Sequence, residues 1–210
     1  MTRARFIIPI LMGICLGISG CTTVVSEAAK KAWEDRSTAD QAADLEISSG
    51  IVKRLSDRDA GLLLDVSTDV WERRVLLTGT LDSAAEKAAV ERLVKSVPGT
   101  RQVYSQLRIV SKADKEKRRK QAQTKDDSSK SGGIGQTVND FWIETKIKTQ
   151  LLTAKDVTSV NYRWRSVIND VYIIGRAANA GEKNKVLTLI RQTDGVKSVR
   201  DYIEIKPPRT

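Results

Sequence analysis

The sequence predicts an α+β protein built from two tandem α-β-β-α-β domains, each with two helices packed on a three-stranded mixed sheet, behind a secretory signal peptide. Three observations predict this. A short apolar run near the start of the chain closes on a cysteine. Residues 44–110 and 140–206 align with each other without a gap, at an offset of 96. Within each copy the apolar spacing passes from helical to alternating and back.

The signal comes first. Arg3 and Arg5 precede an apolar stretch over residues 6–18, and Ile18-Ser19-Gly20-Cys21 follows. A basic start, a short apolar centre and small residues before a cut site make a secretory signal. A membrane span needs about 20 apolar residues, more than this run supplies. Ile-Ser-Gly-Cys resembles the bacterial lipobox. That resemblance implies cleavage before Cys21 and its lipidation with diacylglycerol plus an amide-linked acyl chain such as palmitate. Several acyl chains hold a protein stably, whereas one does so marginally. Cys15 leaves with the signal, so neither a disulfide nor thiol catalysis is expected. Residue 22 is Thr, not the Asp that often marks inner-membrane retention in enteric bacteria. The expected address is the outer membrane, facing the periplasm, where nucleic acid is not a natural partner.

The repeat fixes the elements in order. Asp44, Ile47, Ile51 and Leu55 match Asp140, Ile143, Ile147 and Leu151, and the apolar members fall four apart on one helical face. Leu64, Val66, Thr68 and Val70 alternate as a strand does, and so do Val160, Tyr162 and Trp164, with Asn161, Arg163 and Arg165 on the other side. A hairpin turn is expected near residues 72–74 in the first copy and at Asn169-Asp170 in the second. The next strands carry Val75 and Gly79, matched by Val171 and Gly175. Ser83-Ala84-Ala85-Glu86 reads as a capping box, and Asn179-Ala180-Gly181-Glu182 repeats it with an asparagine cap. Val90, Leu93, Val94 and Val97 form the buried stripe of the helix that follows. Val186, Leu189 and Ile190 do so in the second copy, and Pro98-Gly99 and Asp194-Gly195 end the helices. Final strands are expected over residues 102–110 and 197–206. Units of about 65 residues lie near the lower limit for an independent core, so each is expected to be marginal alone.

The expected organisation is a signal peptide over residues 1–20, a lipidated tether over 21–43, domain one over 44–110, a charged and Gly/Ser linker over 111–138, domain two over 139–206 and a tail over 207–210. The basic run Lys115-Glu116-Lys117-Arg118-Arg119-Lys120 within the linker reads as a solvated tether, a helix extension or an anionic-lipid patch.

Composition narrows the function. The 210 residues carry a formal charge of +10, two cysteines and no histidine. Histidine-based catalysis and imidazole metal sites are therefore excluded. No nucleophile–base pair or metal-spaced cluster stands out, so no catalytic residue, metal, cofactor or small-molecule substrate is expected. The basic balance points to an anionic partner.

The repeated unit resembles the BON domain. Its element order carries the likeness, with Val75-x-Leu77-x-Gly79, Val171-x-Ile173-x-Gly175 and the Gly-x-x-x-Val of Gly99 to Val103 and Gly195 to Val199. A lipobox followed by two such units looks like the dual BON-domain outer-membrane lipoproteins of the DolP (YraP) type. Residues 139–153 and Arg36-Ser37-x-x-x-Gln41-x-x-Asp44 match that family closely, while the linker is longer and more charged. The resemblance implies a non-enzymatic periplasmic lipoprotein that supports outer-membrane integrity. It also implies binding of anionic phospholipid through the second domain, gathering at division sites and contact with outer-membrane assembly machinery.

The residues add an asymmetry of their own. Residues 44–110 hold ten basic and ten acidic side chains, whereas 140–206 hold twelve and eight, net +4. On the first helix of copy two, Trp142 and Thr145 point nearly opposite the Ile143/Ile147/Leu151 stripe. Phe141 and Leu152 take neighbouring outer positions, and Lys146 and Lys148 flank them. An exposed ring with lysines one turn on suits insertion at a membrane interface. The same two aromatics would also suit packing against the other domain or a helix-end loop. Cys21 is thus the expected lipidation site, and Phe141, Trp142, Lys146 and Lys148 the expected phospholipid contacts. The alternative is a protein-interaction scaffold for outer-membrane assembly or division machinery. Trp164 is expected in the core, Arg163 and Arg165 as solvated strand residues or lining an open sheet face, and Trp71 either over the first core or against the second domain.

Overall fold

In a computed structural model, the structure describes residues 34–123 and 136–207, with side chains for all but 118–123 and 136–138. The described residues form one compact unit. The signal stretch, Cys21, Trp33 and the Ser/Gly end of the linker lie outside the described residues.

The first repeat runs α1 (Thr38–Arg58), α2 (Leu62–Asp65), β1 (Val66–Trp71), β2 (Arg74–Leu81), α3 (Ala84–Lys95) and β3 (Gln102–Ile109). A helix over Lys112–Gln123, α4, leads into the linker. The second repeat runs α5 (Gln136–Thr153), a 3-10 turn (Ser159–Asn161), β4 (Tyr162–Val167), β5 (Asp170–Ala177), α6 (Ala180–Gln192) and β6 (Ser198–Ile205). Each sheet is mixed, with its middle strand antiparallel to the one before and parallel to the one after. The α+β reading with two mixed three-stranded sheets holds.

Three local expectations need correction. Leu64 does not join β1; it lies within a one-turn helix and is 91% exposed, while Leu62 two residues earlier supplies the buried contact. Val160 likewise sits in the 3-10 turn and β4 opens at Tyr162. The second hairpin turn is Ile168-Asn169, not Asn169-Asp170, because Asp170 already pairs with Val167. The linker, for its part, carries α4, whose Lys115 ammonium is tied to Asp65, Asp82 and the Thr80 carbonyl. The first part of the basic run is therefore helical.

The polar residues shared by the two copies have matching structural tasks. Asp44 accepts hydrogen bonds from the Glu72 and Arg73 N–H groups, both at 2.7 Å, and Asp140 does the same for Ile168 and Asn169 at 2.8 Å. Those four turn residues all have positive φ, the geometry of the tight hairpin turns that fit twisted strands. A side-chain clamp offsets the strain of placing a β-branched Ile168 there. Ser83 and Asn179 cap their helices as expected, accepting from the Glu86 and Glu182 N–H groups. The returning glutamates reach one residue beyond the cap, to the Asp82 and Ala178 N–H groups. Lys87 and Lys183 donate to the Leu107 and Ile203 carbonyls, tying each second helix to its last strand. Asp44→Ala would strand two turn N–H groups and leave the Arg36 guanidinium, 2.6 Å from Asp44, with Glu34 as its remaining carboxylate. The expected loss is about 3 kcal/mol, since each unsatisfied buried group costs roughly 1–3 kcal/mol. Urea denaturation monitored by circular dichroism measures it.

Alternation along the middle strands divides three cores. Val75 and Leu77 face α1 and α3, and Val171 and Ile173 face α5 and α6, in two separate clusters. The intervening residues form the third: Leu76, Tyr172 and Ile174 with Trp71, joined by Tyr104, Val167 and Tyr202. The two sheets therefore meet through the faces their own helices leave open, giving four layers with helices outermost. The Tyr104 and Tyr202 rings stack at 4.1 Å. Arg74, 1% exposed, donates to the Tyr202 and Gly175 carbonyls at 2.7 and 2.9 Å. Arg165 pairs with Asp69 at 2.9 Å, and Arg163 pairs with Glu34. These two arginines, expected in solvent, belong to the seam, and so does Trp71.

The segment ahead of α1 crosses that seam. Ser37 caps α1 and Arg36 pairs with Asp44, on the first-domain side. The Asp35 N–H donates to Asn161 Oδ1 at 3.0 Å, Asn161 Nδ2 donates back to the Asp35 carboxylate, and Arg176 donates to the Asp35 carbonyl. Arg36 lies 4.2 Å above the Trp71 ring, with Arg163 at 5.3 Å.

Candidate functional site: the outer face of α5

Four attachments fix α5 on its sheet. Ile143, Ile147 and Leu151 are buried in the second core. Asp140 holds the hairpin turn and also accepts from the Ser166 hydroxyl. Glu144 accepts from the Ser166 N–H, and its backbone carbonyl accepts from the Trp164 indole. Burial pushes the Glu144 carboxyl above its ordinary range, with Arg165 acting the other way. Trp164 packs against the second core, as expected of it. At the far side Thr193 donates to Gln150 at 2.7 Å, setting α6 beside α5.

What remains of α5 faces outward. Phe141 is 62% exposed and Trp142 46%, their rings edge to face at 5.9 Å, and Leu152 continues the stripe at 58%. Neither aromatic packs into the seam. Their first-copy counterparts are Leu45 and Glu46, and of these Leu45 is the exposed apolar residue. Lys148 and Lys146 are both exposed. Lys146 is not a free base, because its ammonium stands 2.9 Å from Asp194. That hydrogen bond, with the lysine's charge, holds the Asp194 carboxyl below its ordinary range.

Three threonines complete the face. Thr145, Thr149 and Thr153 lie one turn apart, and each hydroxyl donates to the carbonyl four residues back, at 2.9, 3.1 and 2.9 Å. With the hydroxyls satisfied inside the helix, the side chains present methyl groups outward and leave no unpaired hydroxyl to desolvate. The four-residue spacing was visible in the sequence, but only the rotamers show that the hydroxyls turn back. The result is an apolar strip of Phe141, Trp142 and Leu152 filled in by threonine methyls, with Lys148 on one flank and Lys146 on the other.

The structure also relocates the second domain's charge. Arg163, Arg165 and Arg176 point into the seam. The exposed bases on α5 and α6 are Lys146, Lys148, Lys185 and Arg191, with Lys155 and Lys197 in the segments that follow the two helices. Among the described residues no helix is long and apolar enough to cross a membrane, and no cluster of His, Cys, Asp or Glu could hold a metal ion.

Known proteins align with this arrangement. The chain is 24% identical over 196 residues to the outer membrane lipoprotein DolP of Haemophilus influenzae, covering 90% of this chain and 91% of that one. It is 27% identical over 146 residues to a protein in the gshII 5′ region of Anaplasma centrale, covering 70% and 85%. It is 22% identical over 163 residues to the osmotically-inducible protein Y of Escherichia coli K12, covering 78% and 73%. The BON-domain family model matches residues 43–111 and 139–207, one match to each α-β-β-α-β unit. With both folded halves matched, the chain belongs to the BON-domain family.

Proposed function

We propose that this protein is a periplasm-facing outer-membrane lipoprotein, anchored through acylated Cys21, that binds anionic phospholipid through α5 and supports envelope integrity, including at division sites. The observation that carries the membrane reading is the outer face of α5: exposed Phe141, Trp142 and Leu152 between Lys146 and Lys148. Rings of this kind seat at the boundary between headgroups and acyl chains while lysines hold phosphates. The outer-membrane address is supported by the similarity to DolP and by the lipobox-like Ile18-Ser19-Gly20-Cys21.

The test is vesicle flotation of residues 22–210. Both domains are kept because an isolated second domain would bare Tyr172 and Ile174 and bind lipid for the wrong reason. The chain is expected to float with phosphatidylcholine vesicles containing phosphatidylglycerol, less so as salt screens the lysines. Trp142→Glu is expected to weaken flotation at least tenfold. That corresponds to about 1.4 kcal/mol, less than a buried aromatic contributes. Undiminished flotation would remove α5 from the site. Efficient crosslinking from position 142 to protein and never to lipid would favour the scaffold reading instead.

A further inference from the structure

The outer layer formed by α5 and α6 is basic, yet it keeps two carboxylates. Asp140, Glu144 and Glu182 are turned inward, onto the hairpin turn, the Ser166 N–H and the Thr158 and Ala178 N–H groups. Asp156 and Asp194 are the two exposed ones, and each stands against a lysine of the layer. Lys146 Nζ is 2.9 Å from Asp194, and Lys185 Nζ is 3.8 Å from Asp156 while donating to the Lys155 carbonyl. Among the described residues neither carboxylate caps a helix or accepts from a backbone N–H, so neither has an evident task in the fold.

We propose that Asp194 and Asp156 set the strength and lipid selectivity of membrane attachment, each acting as a fixed counter-charge that a headgroup phosphate must displace from its lysine. The inference rests on the membrane reading of α5. Exposed ion pairs cost little to separate, so the carboxylates attenuate binding rather than block it. Once displaced, each carboxylate remains facing the membrane, and its repulsion grows with the density of anionic lipid. The two aspartates therefore weaken binding most on the most anionic surface. Attachment through α5 stays reversible while the acyl anchor supplies permanence.

The test substitutes asparagine, which has nearly the same shape. Asp156 has a φ of 62°, a conformation that asparagine tolerates well. Residues 22–210 are titrated with vesicles of phosphatidylcholine alone and with added phosphatidylglycerol. Asp194→Asn is expected to bind the anionic vesicles roughly fivefold more tightly, about one charge's worth near such a surface. Asp156→Asn should gain less, because its pair is longer, and the double variant should gain most. Binding to phosphatidylcholine alone and the thermal midpoint should stay unchanged. Wild-type binding with no gain in Asp194→Asn overturns the inference and leaves the membrane reading standing. An equal gain on both vesicle types overturns it too, since that is stickiness rather than charge. Failure of the wild type to bind anionic vesicles overturns the membrane reading and this inference together.

Discussion

Trp71→Ala is expected to uncouple the two domains. The indole is fully buried at the end of β1, in the cluster it forms with Leu76, Tyr172 and Ile174. Removing a buried aromatic of this size costs about 3–5 kcal/mol. The stacked Arg36 and Arg163 guanidiniums lose their ring as well, worth roughly 0.5–2 kcal/mol apiece. Neither helix-facing core contains Trp71, so the damage falls on the seam. Calorimetry should show one cooperative transition in the wild type and two at lower temperature in the variant. Trp71→Phe should retain most of the coupling, because the indole N–H has no hydrogen-bond partner among the described residues to lose. A single unshifted transition in Trp71→Ala would mean the seam contributes little.

Gly79→Ala is expected to be the most damaging single-methyl change in the first domain. Gly79 lies opposite Val66 in the β1–β2 ladder with a φ of 129°. A Cβ there would sit 2.1 Å from the Asp65 carbonyl oxygen and 3.1 Å from Val66 Cα. Both obstacles are backbone, so no rotamer change relieves them, and the strand pair would have to part where α2 feeds into β1. A loss above about 4 kcal/mol is expected, in the range reserved for such clashes. Gly175→Ala should behave alike, with its Cβ 2.2 Å from the Asn161 carbonyl oxygen. Urea denaturation checks both. A loss near 1 kcal/mol would show that the strands can separate at that point at little cost.

The repeat made most of the fold legible. Apolar positions conserved between the copies are those facing the helices, so helices, strands and caps could be placed from one alignment of the chain with itself. The seam was harder to read. Its residues, such as Leu76 and Tyr172 or Gln106 and Tyr202, differ between the copies, because each must fit its counterpart and not repeat it. Arg163 and Arg165 alternate with core residues and so looked solvated; nothing local says that a second sheet covers them. Leu64 and Val160 extended the alternation by one residue pair into segments where the chain turns helically instead. On α5 the outward placement of Phe141 and Trp142 followed from helical geometry alone. The Asp194 partner of Lys146 did not, since it comes from a loop 48 residues away.

The seam also decides with whom each domain keeps company. Asp69 and Arg165 occupy the same place in the two copies, as do Gln106 and Tyr202, and each pair meets across the boundary, at 2.9 and 2.7 Å. Were a domain to dock against its own kind from a neighbouring molecule, the first position would bring Asp against Asp or Arg against Arg. A duplicated module otherwise has every opportunity to pair with its own copy on an adjacent chain. The charge swap at this one position repels both like-with-like combinations, so the seam accepts a first domain against a second and nothing else.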